Sequence, residues 1–208
     1  MHSIILSFSI LSAVVLAQQI GSNTPEIHPR LVSERCSQKT GCLKANTSIV
    51  LDSNFRWLHT KMGTENCVTQ GFNRSICPDP DTCGKTCVLE GVEYKNYGLD
   101  TSDNKVKMNL FTDKNGEKKV ASARIYLYDE DEERYALFKL LNQEFTFDVD
   151  TSKAGCGVNG ALYFSEMSPT GDRDSVNSAG AKYGTGYCDA QCPKQNFING
   201  RVSRISFA

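Results

Sequence analysis

Nine cysteines, all downstream of an apolar leader, constrain this 208-residue chain more than any other feature. Met1 to Ala17 is an apolar run (Ile4-Ile5-Leu6, Ile10-Leu11, Ala13-Val14-Val15-Leu16) closing on the small-residue pattern Val15-Leu16-Ala17, which reads as a signal peptide over residues 1–17. It is too short to span a bilayer, and no later stretch is long and apolar enough to do so. The mature chain is therefore expected to start at Gln18 and to be secreted into an extracellular, oxidising compartment, where paired thiols are the default. Its length suits one domain with a core of its own. Six cysteines fall early, at Cys36, Cys42, Cys67, Cys77, Cys83 and Cys87, and three late, at Cys156, Cys188 and Cys192. An odd count leaves at least one thiol for an intermolecular bridge or a missing partner.

Zinc is disfavoured. Cys83/Cys87 and Cys188/Cys192 each enclose three residues, whereas structural sites favour tighter knuckles with histidine. His28 and His59 are the only histidines after the leader. A net charge of −1 and no Lys/Arg stripe exclude the electrostatic footprint of a nucleic-acid binder, and no motif calls for a cofactor. Two glycosylation sequons occur, Asn46-Thr47-Ser48 and Asn73-Arg74-Ser75, both in turn-rich sequence that suits exposed loops.

Residues 18–93 hold cysteines and turn formers with brief apolar runs, and no helical period. Beyond them short strand-like segments are expected at 106–111, 123–128, 136–141, 145–149 and 161–165, the first pair joined across Lys114-Asn115-Gly116. In Phe145-Thr146-Phe147-Asp148-Val149 strict alternation puts Phe145, Phe147 and Val149 on one face. Regularly spaced strands without intervening helices predict an antiparallel sandwich or barrel. The acidic run Asp129-Glu130-Asp131-Glu132-Glu133 lacks the alternating ligands and central glycine of a calcium loop and reads as a solvated hairpin tip.

Several stretches together carry a family resemblance. They are Asp52-Ser53-Asn54-Phe55-Arg56-Trp57-Leu58-His59; Cys77-Pro78-Asp79 with Thr82-Cys83-Gly84-Lys85-Thr86-Cys87; Asn142-Gln143-Glu144-Phe145-Thr146-Phe147-Asp148-Val149-Asp150; and Cys156-Gly157-Val158-Asn159-Gly160-Ala161-Leu162-Tyr163-Phe164. The most specific is Ala179-Gly180-Ala181-Lys182-Tyr183-Gly184-Thr185-Gly186-Tyr187-Cys188-Asp189-Ala190-Gln191-Cys192-Pro193, followed by Phe197-Ile198-Asn199-Gly200. The chain resembles glycoside hydrolase family seven, the cellobiohydrolases and endoglucanases that cut β-1,4-glucan with retention, from about residue 18 to 200, in less than half of a family catalytic domain.

The resemblance implies a disulfide-rich, all-β, concanavalin-like jelly-roll sandwich of two curved antiparallel sheets, incomplete in this chain, with a cleft for cellulose or another β-1,4-glucan. A monomer is expected, without metal, nucleic-acid or membrane partners. It implies bridges Cys36–Cys42, Cys67–Cys87 and Cys77–Cys83, with partners of Cys156, Cys188 and Cys192 beyond the chain. A further family bridge would need a cysteine at Val88. By motif, Trp57 matches a tryptophan that stacks a glucosyl ring at the cleft entrance. Asn54, Tyr97, Arg124, Asn159, Tyr163, Tyr187, Asp189 and Gln191 fall on positions in or beside the cleft. Read alone, Trp57 would pass for a core residue, and Arg124 for a solvated strand residue with Tyr126 and Tyr128 beside it. Tyr163 and Phe164 must face opposite sides of a strand, so one of them is expected in the core, and the motif match implies that Tyr163 is the cleft member, which leaves Phe164 for the core.

Retaining hydrolysis needs two carboxyls roughly 5 to 5.5 Å apart. The family supplies them as Glu-x-Asp-x-x-Glu after the Phe-Ile-Asn-Gly stretch, and this sequence contains no such motif. Glu166 reads as a surface carboxylate. Residues 201–208 depart from the family pattern, and Val202-Ser203 is what a translated splice donor would encode, so the tail is expected to be intron read-through or another truncation. The leading expectation is thus a secreted β-1,4-glucanase cut before its catalytic carboxylates and inactive as given. The alternatives are a non-catalytic secreted glycan-binding module and, with less support, a disulfide-rich interaction or inhibitor domain.

Overall fold

The computed structural model describes residues 19–114, 116–174, 177–187, 197–198 and 201–202. The leader, Cys188, Asp189, Gln191, Cys192 and residues 203–208 lie outside the described residues. The chain is all-β, in short strands. Strand β1 (Gln19–Ile20), β2 (Ser33–Ser37), β3 (Gly41–Ala45), β4 (Thr47–Leu51) and β5 (Leu58–Thr60) precede helix α1 (Pro80–Thr86) and β6 (Cys87–Leu89). Then come β7 (Leu99–Ser102), β8 (Lys105–Met108), β9 (Phe111–Lys114), β10 (Glu117–Val120), β11 (Ile125–Asp129) and β12 (Arg134–Tyr135), with β13 (Phe197–Ile198) and β14 (Arg201–Val202) at the end.

Two three-stranded sheets frame the site. In one, β6 lies between β1 and β5, parallel to β1 and antiparallel to β5. In the other, β11 lies between β4 and β12, antiparallel to both. Strand β4, Thr-Ser-Ile-Val-Leu, is buried at every position, the behaviour of an apolar run covered on both faces. Ile49 and Leu51 pack with Val92, Tyr94 and Leu99 on one side, while Val50 packs with Tyr128, Tyr135 and Ala181 on the other. A third cluster gathers Leu58, Leu89 and Tyr183 around four bridged cysteines.

Among the described residues three disulfides are present, Cys36–Cys42, Cys67–Cys87 and Cys77–Cys83, the pairings the resemblance implies. Closing the 20-residue separation of Cys67 and Cys87 is worth about 3 kcal/mol in the chain-entropy account. Cys67, Cys77 and Cys87 bring their sulfurs together, but as bridged sulfurs they offer no thiolate to a metal. Cys156 is free and exposed. Val88, where the resemblance would need a further cysteine, pairs with Gln19 in the parallel ladder.

Several local expectations change. The stretch expected as one strand at 106–111 is divided: β8 closes a hairpin with β7, and β9 folds back on β10. The turn after Lys114 is thus tighter than expected, with Gly116 at φ +80 supplying the left-handed residue. Helix α1 is a feature the periodicity did not show, because seven residues give too few turns for a stripe. Its start is nevertheless encoded, since Asp79 Oδ1 accepts the Thr82 N–H at 2.8 Å and Pro80 sits in the first turn. The acidic run forms the β11–β12 connection, with Asp129 opposite Arg134 and Glu133 at φ +48.

The segments 136–141, 145–149 and 161–165 form no ladder among the described residues. They do share a face: the rings of Phe138, Phe145 and Phe164 meet edge-on at 5.1 to 5.6 Å. That face is exposed, so Phe164, expected in the core, is 46% exposed. A strand needs a neighbouring backbone as well as an alternating sequence.

Candidate functional site

The buried run of β4 ends at Asp52, which is fully buried and organises the residues around it. Its Oδ1 caps the turn Ser53–Phe55, accepting the Asn54 backbone N–H at 2.7 Å and the Asn54 side-chain amide at 3.0 Å. Its Oδ2 accepts Arg124 Nε at 3.0 Å and Nη2 at 2.8 Å, together with the Tyr126 hydroxyl. The position of Asp52 is itself fixed by a close approach. Gly184, at φ +74, lets the 181–184 turn press on the end of β4, and a Cβ there would lie 2.0 Å from Leu51 O.

Arg124 is held flat over the Tyr187 ring, its Cζ 3.8 Å from the centroid. Tyr187 is 3% exposed, and its hydroxyl lies 2.9 Å from that of Tyr163, which is 55% exposed. A buried carboxylate therefore orients a guanidinium, the guanidinium covers one tyrosine, and that tyrosine meets a second at the surface. Burial opposes the Arg124 cation, but Asp52 and the Tyr126 phenol outweigh it and keep it firmly protonated. Rigid aromatic rims beside fixed charged donors suit a ligand of flat apolar faces ringed by hydroxyls.

Trp57 follows the same turn and stands at the surface, 39% exposed. Its indole stacks on His59 with ring centroids 3.9 Å apart, and Nε1 donates to Asn66 Oδ1 at 2.6 Å. Tyr97 packs against the Ile49–Leu51 cluster and is only partly buried. Asn159 is exposed and makes no hydrogen bond with the Asp52–Arg124 network among the described residues. Of the two sequons, Asn46 is exposed and donates to Asp131 Oδ1 at 2.8 Å, while Asn73 is half-buried. Asp52, Tyr126, His59 and Glu90 are the residues that sequence reasoning missed. The one local signal is for Asp52, an acidic residue that ends an apolar run before Ser-Asn, as a turn cap does.

The phenols make this region sensitive to alkali. Burial raises Tyr94, Tyr97, Tyr126, Tyr135 and Tyr183 above their usual range and pushes Tyr128 up to about 12. In the unfolded chain these groups ionise near pH ~10. Their contribution to stability is complete below that pH and is lost as pH rises toward the folded values. Tyrosinate absorbance at 295 nm is therefore expected to appear together with loss of near-ultraviolet circular dichroism. Smooth ionisation of all the phenols near pH ~10 in a folded chain would contradict this burial.

A family model described as "Glycosyl hydrolase family 7" matches residues 20–206. The chain is 51% identical over 195 residues to a probable endo-beta-1,4-glucanase celB of Aspergillus clavatus, covering 93% of this chain and 46% of that protein. Among solved structures, Humicola insolens endocellulase EGI superposes with a TM-score of 0.81 at 39% identity, over 90% of this chain and 48% of that one. An endoglucanase I complexed with cellobiose superposes at 0.78 and 37% identity, over 90% and 48%. The chain spans about half the length of the relatives it matches.

Proposed function

We propose a function from one premise: this chain belongs to glycosyl hydrolase family 7. It forms the glycan-gripping part of a cleft for β-1,4-glucan in a secreted, retaining glucanase. The observation that carries this reading is the series running from buried Asp52 through Arg124 and Tyr187 to the surface at Tyr163, with the Trp57 platform just after the turn that Asp52 caps. Asn54, Tyr97, Asn159, Asp189 and Gln191 complete the cleft by the same family correspondence. The cellobiose bound to one structural neighbour supports a glucan as the occupant, the leader supports secretion, and the sequons at Asn46 and Asn73 would then be open to glycosylation.

The chain as given binds rather than cleaves, because its sequence holds no Glu-x-Asp-x-x-Glu. Calorimetric titration with cellohexaose tests the binding. Trp57→Ala is expected to weaken affinity about tenfold, the upper range of one aromatic contact. Tyr163→Phe removes one hydroxyl and is expected to cost about two- to tenfold. Wild-type affinity in both variants would remove the site from this face.

A further inference from the structure

A buried pair that neither the fold nor the cleft network requires lies directly beneath the exposed indole. His59 is 2% and Glu90 1% exposed. His59 Nδ1 is 2.9 Å from Thr60 O and 2.8 Å from Gly63 O. Neither carbonyl can donate, so Nδ1 carries a proton shared between them. On the other side of the ring, Nε2 lies 2.9 Å from Glu90 Oε1, with the Asn23 amide at 3.5 Å. Glu90 is fixed in turn, accepting the Thr24 N–H at 2.8 Å through Oε2. Gly21 makes the space for it, since a Cβ there would lie 1.9 Å from Glu90 Oε1.

The imidazole is thus tied at both nitrogens, and its plane is fixed. The indole rests on that plane with only 26° between the rings, and its edge is tied to Asn66. From this geometry we infer that His59 and its Glu90 partner are positioning residues for Trp57. They set the plane and height at which the indole meets a glucosyl ring. Two buried polar side chains are an expensive floor for an exposed residue, because an apolar floor would need no partners. What they add is orientation. A ring that hydrogen-bonds at both ends cannot turn, so an indole stacked on it is already ordered before sugar arrives, and binding loses less side-chain freedom.

The inference rests on the reading of Trp57 as a sugar platform, and the test separates the two. Trp57 is the sole tryptophan, so its emission reports this site alone. His59→Gln removes the ring while keeping an amide donor for Glu90, and Glu90→Gln keeps the ring with a partner at Nε2. Time-resolved anisotropy of Trp57 is the first readout. The His59→Gln variant is expected to gain a fast local motion of the indole, and Glu90→Gln is expected to stay near the parent. Titration with cellohexaose is the second, with affinity expected to fall about three- to tenfold in His59→Gln and less than twofold in Glu90→Gln.

An indole as immobile in folded His59→Gln as in the parent overturns the inference, as does unchanged affinity. If cellohexaose leaves the parent's emission untouched, the platform reading fails, and anisotropy alone still decides whether His59 positions the indole. Should His59→Gln not fold, the double variant His59→Phe/Glu90→Gln, which keeps a flat ring without its two tethers and leaves no buried charge, repeats the anisotropy test, and an indole as immobile there as in the parent also counts against the inference.

Discussion

Replacing Glu26 with alanine is expected to cost about 3–5 kcal/mol, the penalty of stranding a buried cation. The side chains of Glu26 and Arg56 are both fully buried. Arg56 donates through Nη1 and Nη2 to Glu26 Oε2 and Oε1 at 2.5 and 2.9 Å, and Glu26 also accepts from the Tyr94 hydroxyl at 2.6 Å and the Val92 N–H at 3.2 Å. Burial disfavours the guanidinium, and the Glu26 hydrogen bond and charge more than offset it, leaving Arg56 more firmly protonated than usual. Without Glu26 the partners left to that buried cation among the described residues are the carbonyls of Leu51 and Glu90. A domain has only about 5–15 kcal/mol in reserve, so the variant is expected to be largely unfolded at 37 °C. Urea unfolding followed by circular dichroism measures the loss, and a loss below about 1 kcal/mol would show that the site is wetter than it looks.

The same pair bears on the proposed cleft. Arg56 also reaches Leu51 O at 3.0 Å and Glu90 O at 3.3 Å. It thereby ties the end of β4, where Asp52 begins, to the residue after β6 that holds His59. Trp57 is the next residue along. In whatever fraction of the variant stays folded, loss of Glu26 should therefore displace Asp52 and Glu90 together.

What could be read in advance follows from how local each signal is. The β11–β12 connection was legible because a run of five acidic residues cannot be buried. Helix α1 was not, although its cap Asp79 and its Pro80 were in plain view, because periodicity needs more than two turns. The alternation fits the Phe145 and Phe147 rings lying 5.9 Å apart, but a period of two says nothing about which backbone lies alongside. That is why the segments at 136–165 were expected as strands and are found as an exposed aromatic face instead.

The site divides in the same way. Trp57 and Arg124 were singled out through motif correspondence, since residue type alone favoured a core reading of Trp57 and left Arg124 open between a solvated and a cleft one. Asp52, Tyr126, His59 and Glu90 could not be found, because a satisfied buried polar group is a property of several distant segments at once. Asp52 and Tyr126 are 74 residues apart and His59 and Glu90 31, and only the folded backbone brings them together.

Release of reducing sugar from carboxymethylcellulose is expected to stay at the level of a heat-denatured control, whatever affinity the titration with cellohexaose finds. A retaining glycosidase needs one carboxylate to attack the anomeric carbon and a second, roughly 5 to 5.5 Å away, to protonate the leaving oxygen. Among the described residues the carboxylate nearest the cleft tyrosines in the hydrogen-bond network is Asp52. It is already committed, with Oδ2 accepting from Arg124 and Tyr126 and Oδ1 from Asn54. A carboxylate so bound and wholly buried is a poor nucleophile, because attack would break the bonds that hold its charge in the interior. It also has no second carboxyl in that network to act as acid. Activity above the control would overturn this account. Asp52→Asn would then show where the activity comes from, since its loss in that variant would mean that substrate recruits Asp52 out of its network, and its persistence would place the chemistry elsewhere in the chain.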